Sequence, residues 1–228
     1  GGTDPRTPMS TLMTLCLLAF FLSLVFAMVL VGWHDRMVKA RGVQEEKTVE
    51  VAEVVVTMIV PARNASDTIV ALLQDLNAQR YPRQLTEVLV VDDDSTDNTV
   101  ELVRGLMHTW PALRLGSNDG VGKKAAITCG VKEAVGEWIV LTDADARCGA
   151  LRLERIMSRV QAEQPDMLLM PVMTEGDGGS LQRVQADEQS ALMGVAAGTA
   201  LGGSPVLANG ANMAFSKAAF IAGGGVDG

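Results

Sequence analysis

The sequence predicts an α/β protein, with a mostly parallel central sheet of Rossmann-like type behind one membrane-spanning helix. Three observations carry that expectation. Short β-branched runs alternate with helical periodicity from residue 54 onward, the pattern of βαβ units. Polar clusters fall directly after those runs, where the carboxyl ends of parallel strands would lie. A long stretch near the start carries no charge.

That stretch comes first in the chain. No charged residue occurs between Arg6 and Asp35, and residues 11–33 include Leu12, Leu15, Leu17, Phe20, Phe21, Leu24, Phe26 and Val29. A bilayer core takes about 20 apolar residues in a helix. A soluble core helix would show a polar face, which this run lacks. A cleaved signal peptide would be shorter and end in a small-x-small site, and none precedes Trp33. Residues 1–10 are thus read as a tail and 11–33 as a transmembrane helix. Arg36, Lys39, Arg41 and Lys47 follow the run and only Arg6 precedes it. Cations mark the cytoplasmic flank, so the rest of the chain is expected on the cytoplasmic side of an inner or plasma membrane, on a single pass. Residues 34–53 read as a charged, partly helical linker, and 54–228 as the globular domain.

Within that domain, 54–60 reads as a strand ended by Pro61. Ser66 or Asp67 is expected to cap a helix running to Gln79, with Ile69, Leu72, Leu73 and Leu76 on one face. Residues 87–91 form the next apolar run, closed by Asp92-Asp93-Asp94-Ser95. A helix is expected over 97–107, a short strand over 112–115, a helix over 123–135 and a strand over 138–141. Asp143-Ala144-Asp145 closes that strand. Helix over 151–161 and strand over 167–172 follow. Residues 175–180 are Gly-rich and acidic, a loop. Residues 182–203, rich in Ala, Met and Gly, read as a helix, either near the membrane or acceptor or simply packed. There is no internal repeat.

The bulk numbers exclude some classes. The net charge is −8 and the pI about 4.8, against a nucleic-acid partner, which a basic face would announce. The three cysteines, Cys16, Cys129 and Cys148, match no zinc spacing and read as free thiols. His34 and His108 are too far apart to suggest a site.

Three motifs carry chemistry. Asp143 and Asp145 sit two apart after a strand, so in extended chain they project to one side. Two such carboxylates can share Mg²⁺ or Mn²⁺ and leave positions for phosphate oxygens; a polar turn capping a helix is the alternative. Asp92-Asp93-Asp94 repel one another, so a partner is expected, such as the N–H of a base; Ser95, Thr96 and Asp97 can at the same time cap the next helix. Gly120-Val121-Gly122-Lys123-Lys124 opens a helix, where amides and lysine charge suit an anion. It is neither a P-loop nor a dinucleotide fingerprint.

Taken together these pieces resemble the family 2 glycosyltransferases. The residues that carry the resemblance are Thr57-Met58-Ile59-Val60-Pro61-Ala62-Arg63-Asn64, Val90-Val91-Asp92-Asp93-Asp94-Ser95-Thr96-Asp97, Gly122-Lys123-Lys124-Ala125-Ala126, Leu141-Thr142-Asp143-Ala144-Asp145 and Asn209-Gly210-Ala211-Asn212-Met213-Ala214-Phe215. The resemblance implies a glycosyltransferase A-type domain and an inverting transfer from a nucleotide-sugar, most simply a UDP-sugar, to a lipid-linked or polysaccharide acceptor. It implies that Pro61, Ala62, Arg63 and Asn64 line the nucleotide pocket, that Asp92 holds the base, and that Lys123 approaches the diphosphate. Asp143 and Asp145 become the Asp-x-Asp motif, with Asp145 the direct ligand of Mg²⁺ or Mn²⁺. Gly210 and Asn212 would lie near the donor sugar or acceptor.

In the family the general base lies in an acidic pair beyond the Gly-x-Asn segment. The sequence ends at Gly228 before such a pair, so the base is expected further on and this piece is expected to be inactive alone. Two other classes compete: a sugar-phosphate nucleotidyltransferase, which would need a Gly-rich, Arg-containing loop after the first strand, and a non-catalytic nucleotide-sugar binding module.

Overall fold

The computed structural model describes residues 9–41, 54–172, 179–201 and 212–225. The chain divides into two compact units. One holds helices α1 (Met9–Arg41) and α6 (Ser180–Leu201), which contact each other. Inside α1, Met13–Gly32 has mean hydropathy 2.8 and is exposed along its whole length. By length and composition it is long and apolar enough to cross a membrane. The helix continues through Asp35 to Arg41, so the first part of the expected linker is helical; residues 42–53 lie outside the described residues.

The second unit holds a six-stranded sheet. Its strands are β1 (Val56–Ala62), β2 (Thr86–Asp92), β3 (Leu113–Ser117), β4 (Trp138–Thr142), β5 (Met167–Leu169) and β6 (Asn212–Ser216), in spatial order β3-β2-β1-β4-β6-β5. The first four run parallel, β1 between β2 and β4. β6 inserts antiparallel between β4 and β5. The strand expected over 167–172 is therefore real but stops at Leu169, and its partner β6 carries no strand signal of its own in the sequence.

Period-two alternation sends side chains to two cores, as a sheet covered on both faces requires. Val56, Met58, Val60, Val88, Val90 and Val140 pack under α2 (Ile69–Asn77), α3 (Thr99–Met107) and α5 (Arg152–Glu163). Ile59, Leu89, Val91, Ile139 and Leu141 pack under α4 (Lys123–Glu133) on the other face. There α4 comes so close that a Cβ on Gly130 would stand 2.8 Å from the Ile59 side chain. Phe220 of α7 (Lys217–Ala222) stacks on Phe215 at 5.0 Å between ring centres.

The starts of α2 and α3 differ from expectation by one or two residues. The Ser66 N–H donates to Asp97 Oδ2 at 3.0 Å, so the backbone there is committed to the neighbouring loop, and α2 begins at Ile69 with no side-chain cap. Asp97 likewise lies before α3, whose first residue is Thr99.

The amino end of the sheet is tied by one buried acid. Glu87 is 6% exposed. Its oxygens accept from Thr57 Oγ1 at 2.5 Å, the Val135 N–H at 3.0 Å and Arg114 Nη1 at 2.5 Å. Burial alone would raise its pKa, but the bonds from Thr57, Val135 and Arg114 together hold it below the usual 4.5. The Gly136 N–H donates to Thr57 Oγ1, and a Cβ on Gly136 would meet the Thr57 backbone nitrogen at 2.5 Å.

Candidate functional site

Strand order reverses between β1 and β4. At such a switch point the connections leave in opposite directions and open a crevice at the carboxyl ends. A cavity of about 420 Å³ lies there, lined by Pro61, Ala62, Arg63, Asn64, Ala65, Asp67, Thr68, Asp93, Lys123, Asp143, Ala144 and Asp145. Seven residues singled out from sequence thus face one space: Pro61, Ala62, Arg63, Asn64, Lys123, Asp143 and Asp145.

The wall after β1 is stitched to the loop after β2. Asn64 adopts φ 50°, its N–H donates to Ser95 Oγ at 3.0 Å, and its side-chain oxygen accepts from the Thr96 N–H at 2.8 Å. The Ala65 N–H donates to Thr99 Oγ1 at 2.8 Å. Asp97 accepts from the Thr99 hydroxyl at 2.5 Å and from the Ser66 and Thr99 N–H groups. The Thr99 hydroxyl, ahead of those amides, holds the Asp97 carboxyl far below the usual carboxylate range.

Adjacent acids behave differently because successive residues face opposite ways. Asp93 lines the cavity; its Oδ1 accepts from Asn118 Nδ2 at 2.6 Å and the Gly122 N–H at 3.0 Å. Arg63 Nη1 stands 3.9 Å from its other oxygen. Asp92 ends β2 and is not among the lining residues. Its Oδ2 accepts from the Ser95 N–H at 3.3 Å, while its Oδ1 is buried with no hydrogen-bond partner. A buried acceptor left so costs about 1–3 kcal/mol. Sequence reasoning did not single out Asp93 over its neighbours; the end of β2 at Asp92 and the bonds from Asn118 and Gly122 to Asp93 separate the two acids.

Gly122, at φ 85°, precedes α4. Its N–H, one of the amides expected for an anion, is already taken by Asp93. Lys123 Nζ meets Asp143 Oδ1 at 2.5 Å, with both side chains partly exposed. Asp145 is exposed. Behind it, α2 grips the next turn: Asp75 takes Arg147 in a two-pronged pair and accepts the Cys148 N–H at 3.1 Å. Chiefly the Arg147 hydrogen bond holds the Asp75 carboxyl below its usual range. Gln79 donates to the Gly149 carbonyl and accepts the Leu153 N–H.

Asn212 starts β6 and does not line the cavity. Its amide donates to the Pro171 carbonyl at 2.9 Å and accepts from Arg152 at 2.7 Å. Gly210 lies outside the described residues. Among the described residues no three His, Cys, Asp or Glu side chains gather as a metal cage. Asp143 and Asp145 fit Mg²⁺ or Mn²⁺ in another way, since such ions are commonly held by one or two carboxylates with substrate phosphates completing the set.

The family model described as Glycosyl transferase family 2 matches residues 57–223, the sheet and its cleft included. The chain belongs to this family. It is 31% identical over 118 residues to the dolichyl-phosphate beta-glucosyltransferase ALG5C of Trichomonas vaginalis, covering 49% of this chain and 35% of that protein. It is 37% identical over 108 residues to the succinoglycan biosynthesis protein ExoO of Rhizobium meliloti, covering 47% and 30%. The chain thus spans about a third of the length of the curated relatives it matches. Among solved structures, S. aureus TarS 1-349 in complex with UDP-GlcNAc aligns with TM-score 0.50 and 27% identity, over 55% of this chain and 36% of that one. The mannosyltransferase PcManGT of Pyrobaculum calidifontis, solved with GDP-Man and Mn²⁺, shares the fold: TM-score 0.63, 24% identity, 88% of this chain and 55% of that one. As a family 2 member, the chain carries a glycosyltransferase sheet with its cleft on the expected edge.

Proposed function

We propose that this chain is the nucleotide-sugar-binding part of a membrane-anchored, inverting glycosyltransferase that uses a UDP-sugar and a divalent cation. One observation carries the reading: Lys123, Asp143 and Asp145 share a cavity with Pro61–Asn64 at the switch point of the sheet. The UDP preference draws on the likeness to the UDP-GlcNAc complex of TarS. A lipid-linked or polysaccharide acceptor draws on the dolichyl-phosphate and succinoglycan relatives. The apolar span in α1 supplies the anchor, and the cations that follow it set the cytoplasmic orientation.

In this reading the segment Pro61–Asn64 forms the floor for the nucleoside. Asp92 is the base acceptor of this reading: its Oδ1 is buried beside the cavity with no partner, and a base N–H that displaces what covers it would relieve its desolvation penalty. Lys123 leaves Asp143 to meet the diphosphate. Asp145 and Asp143 would hold Mg²⁺ or Mn²⁺, which would supply positive charge to the departing diphosphate. The acceptor hydroxyl attacks the anomeric carbon opposite the leaving group, and its proton goes to a general base that none of the cleft residues is assigned to. Gly210 and Asn212 remain the donor-sugar or acceptor side of the proposal; the engaged amide of Asn212 favours a supporting part for it.

The test is calorimetric titration of the full chain with UDP in the presence of Mn²⁺. Binding in the wild type that weakens in Asp145→Ala is expected. Binding that Asp145→Ala leaves untouched removes the metal assignment, and no binding in the wild type removes the nucleotide reading.

A further inference from the structure

Arg152 is a charged group to which the cleft reading gives no role. Its guanidinium donates to Thr142 Oγ1 at 2.8 Å, to the Leu141 carbonyl at 3.1 Å and to Asn212 Oδ1 at 2.7 Å. All three acceptors are neutral. Among the described residues no carboxylate pairs with it, whereas Arg114, Lys123, Arg147 and Arg159 each have one. Its ionisable neighbour is the Cys148 thiol, which burial pushes up in pKa and so keeps neutral. Burial pulls the Arg152 pKa down, yet a guanidinium stays protonated in a protein.

A partly desolvated cation without a counter-ion costs stability. The guanidinium fork is what lets one side chain reach all three oxygens. It brings a fixed charge with it, and its position gives that charge a use. Leu141 and Thr142 directly precede Asp143, the first acid of the cleft turn. The cavity lining carries four carboxylates, Asp67, Asp93, Asp143 and Asp145, against two cations, Arg63 and Lys123. Two minus four leaves that wall at −2, unfavourable to a diphosphate. Fixed positive charge just behind the turn offsets it, and a group already locked in place needs no reorganisation when the ligand arrives.

We propose that Arg152 is a positioning residue that also acts electrostatically. It locks the carboxyl end of β4 to the amino end of β6 and holds fixed positive charge behind the acidic turn, favouring the diphosphate of a nucleotide ligand. This rests on the nucleotide-binding reading of the cleft and goes beyond it.

The experiment compares a charged with a neutral ligand. UDP and uridine are titrated into the full chain in detergent micelles at fixed Mn²⁺, by ligand-observed NMR, which also reads millimolar binding. Asn212→Asp places a carboxylate where Arg152 already has an acceptor, offsetting the charge at nearly the same shape while giving up the bond to the Pro171 carbonyl. Arg152→Gln removes the charge and keeps one donor. Both variants are expected to weaken UDP about tenfold, the scale of one charge at an intermediate dielectric, with uridine unchanged. Equal losses for UDP and uridine would mean a purely structural role and overturn the proposal, as would no loss in Asn212→Asp, whose new ion pair with Arg152 offsets the lost bond to Pro171. A wild type that binds neither ligand overturns the nucleotide reading and this inference with it. A wild type that binds UDP, with unaltered selectivity in both variants, overturns this inference alone.

Discussion

At the amino edge of the sheet, Glu87 is buried and accepts from Thr57, Val135 and Arg114. At the carboxyl edge of the same strand, Asp92 has one weakly held oxygen and one buried oxygen with no partner. Nearby, Asp143 is held by one lysine, and Asp145 is exposed. The residue types are alike and the surroundings opposite. One acid has every bond it needs and serves the fold. The others are left incomplete: Asp143 and Asp145 line the cavity, where a ligand can complete them, and Asp92 ends the strand beside it. Carboxylates whose bonding is unfinished inside a cleft mark a site better than any count of acids does.

The contrast can be broken by substitution, starting where most is at stake. Glu87→Ala strands three donors in a buried place and should cost about 3 kcal/mol in urea unfolding, with UDP affinity of the folded fraction kept. Loss of ligand without loss of stability would erase the distinction between the edges. Asp145→Ala should do the reverse: about 30-fold weaker UDP binding with Mn²⁺, or roughly 2 kcal/mol, and stability within about 0.5 kcal/mol of wild type. Asp92→Asn should weaken UDP about tenfold, roughly 1.4 kcal/mol, while leaving urea stability unchanged or higher, since it relieves a charged oxygen without a partner.

The smallest effect is on pH dependence. Glu87 is held below its ordinary 4.5 in the folded chain. Its contribution to stability is therefore fully present above that value and is lost as pH falls from 4.5 through the lowered folded pKa. Glu87→Gln should flatten the acid limb of stability, by about 1.4 kcal/mol for every tenfold difference in acidity between the folded and unfolded carboxyl, measured by unfolding between about pH 5 and 3. An unchanged acid limb would remove Glu87 from its structural part.

Much of this architecture is legible in the sequence. The parallel strands β1, β2 and β4 are largely apolar runs bounded by polar turns, and local pattern suffices to find them. β6 is not legible, because its strand character comes from antiparallel pairing with β4 and β5, far away in sequence. The same distance hides the part played by Asn212, whose amide is held by Arg152 and by Pro171, 60 and 41 residues away. In the triplet of acids, composition shows that a partner is needed but not which acid faces the cleft. That is decided by register, with Asp92 opposite Ala62 and Ser117, and by Asn118 and Gly122 closing on Asp93. Helix starts slip because Asp97 draws the Ser66 amide into the neighbouring loop.

Lys123 and Asp143 each keep the other's place. In the proposed function a phosphate arriving at the lysine would free the carboxylate for a metal ion, and a metal ion arriving at the carboxylate would free the lysine for a phosphate. Either guest entering by itself would exchange one pair for one and leave the other side chain bare, while the two together would exchange one pair for two. The closed handshake in the cleft would then make anion and cation visitors mutual door-openers.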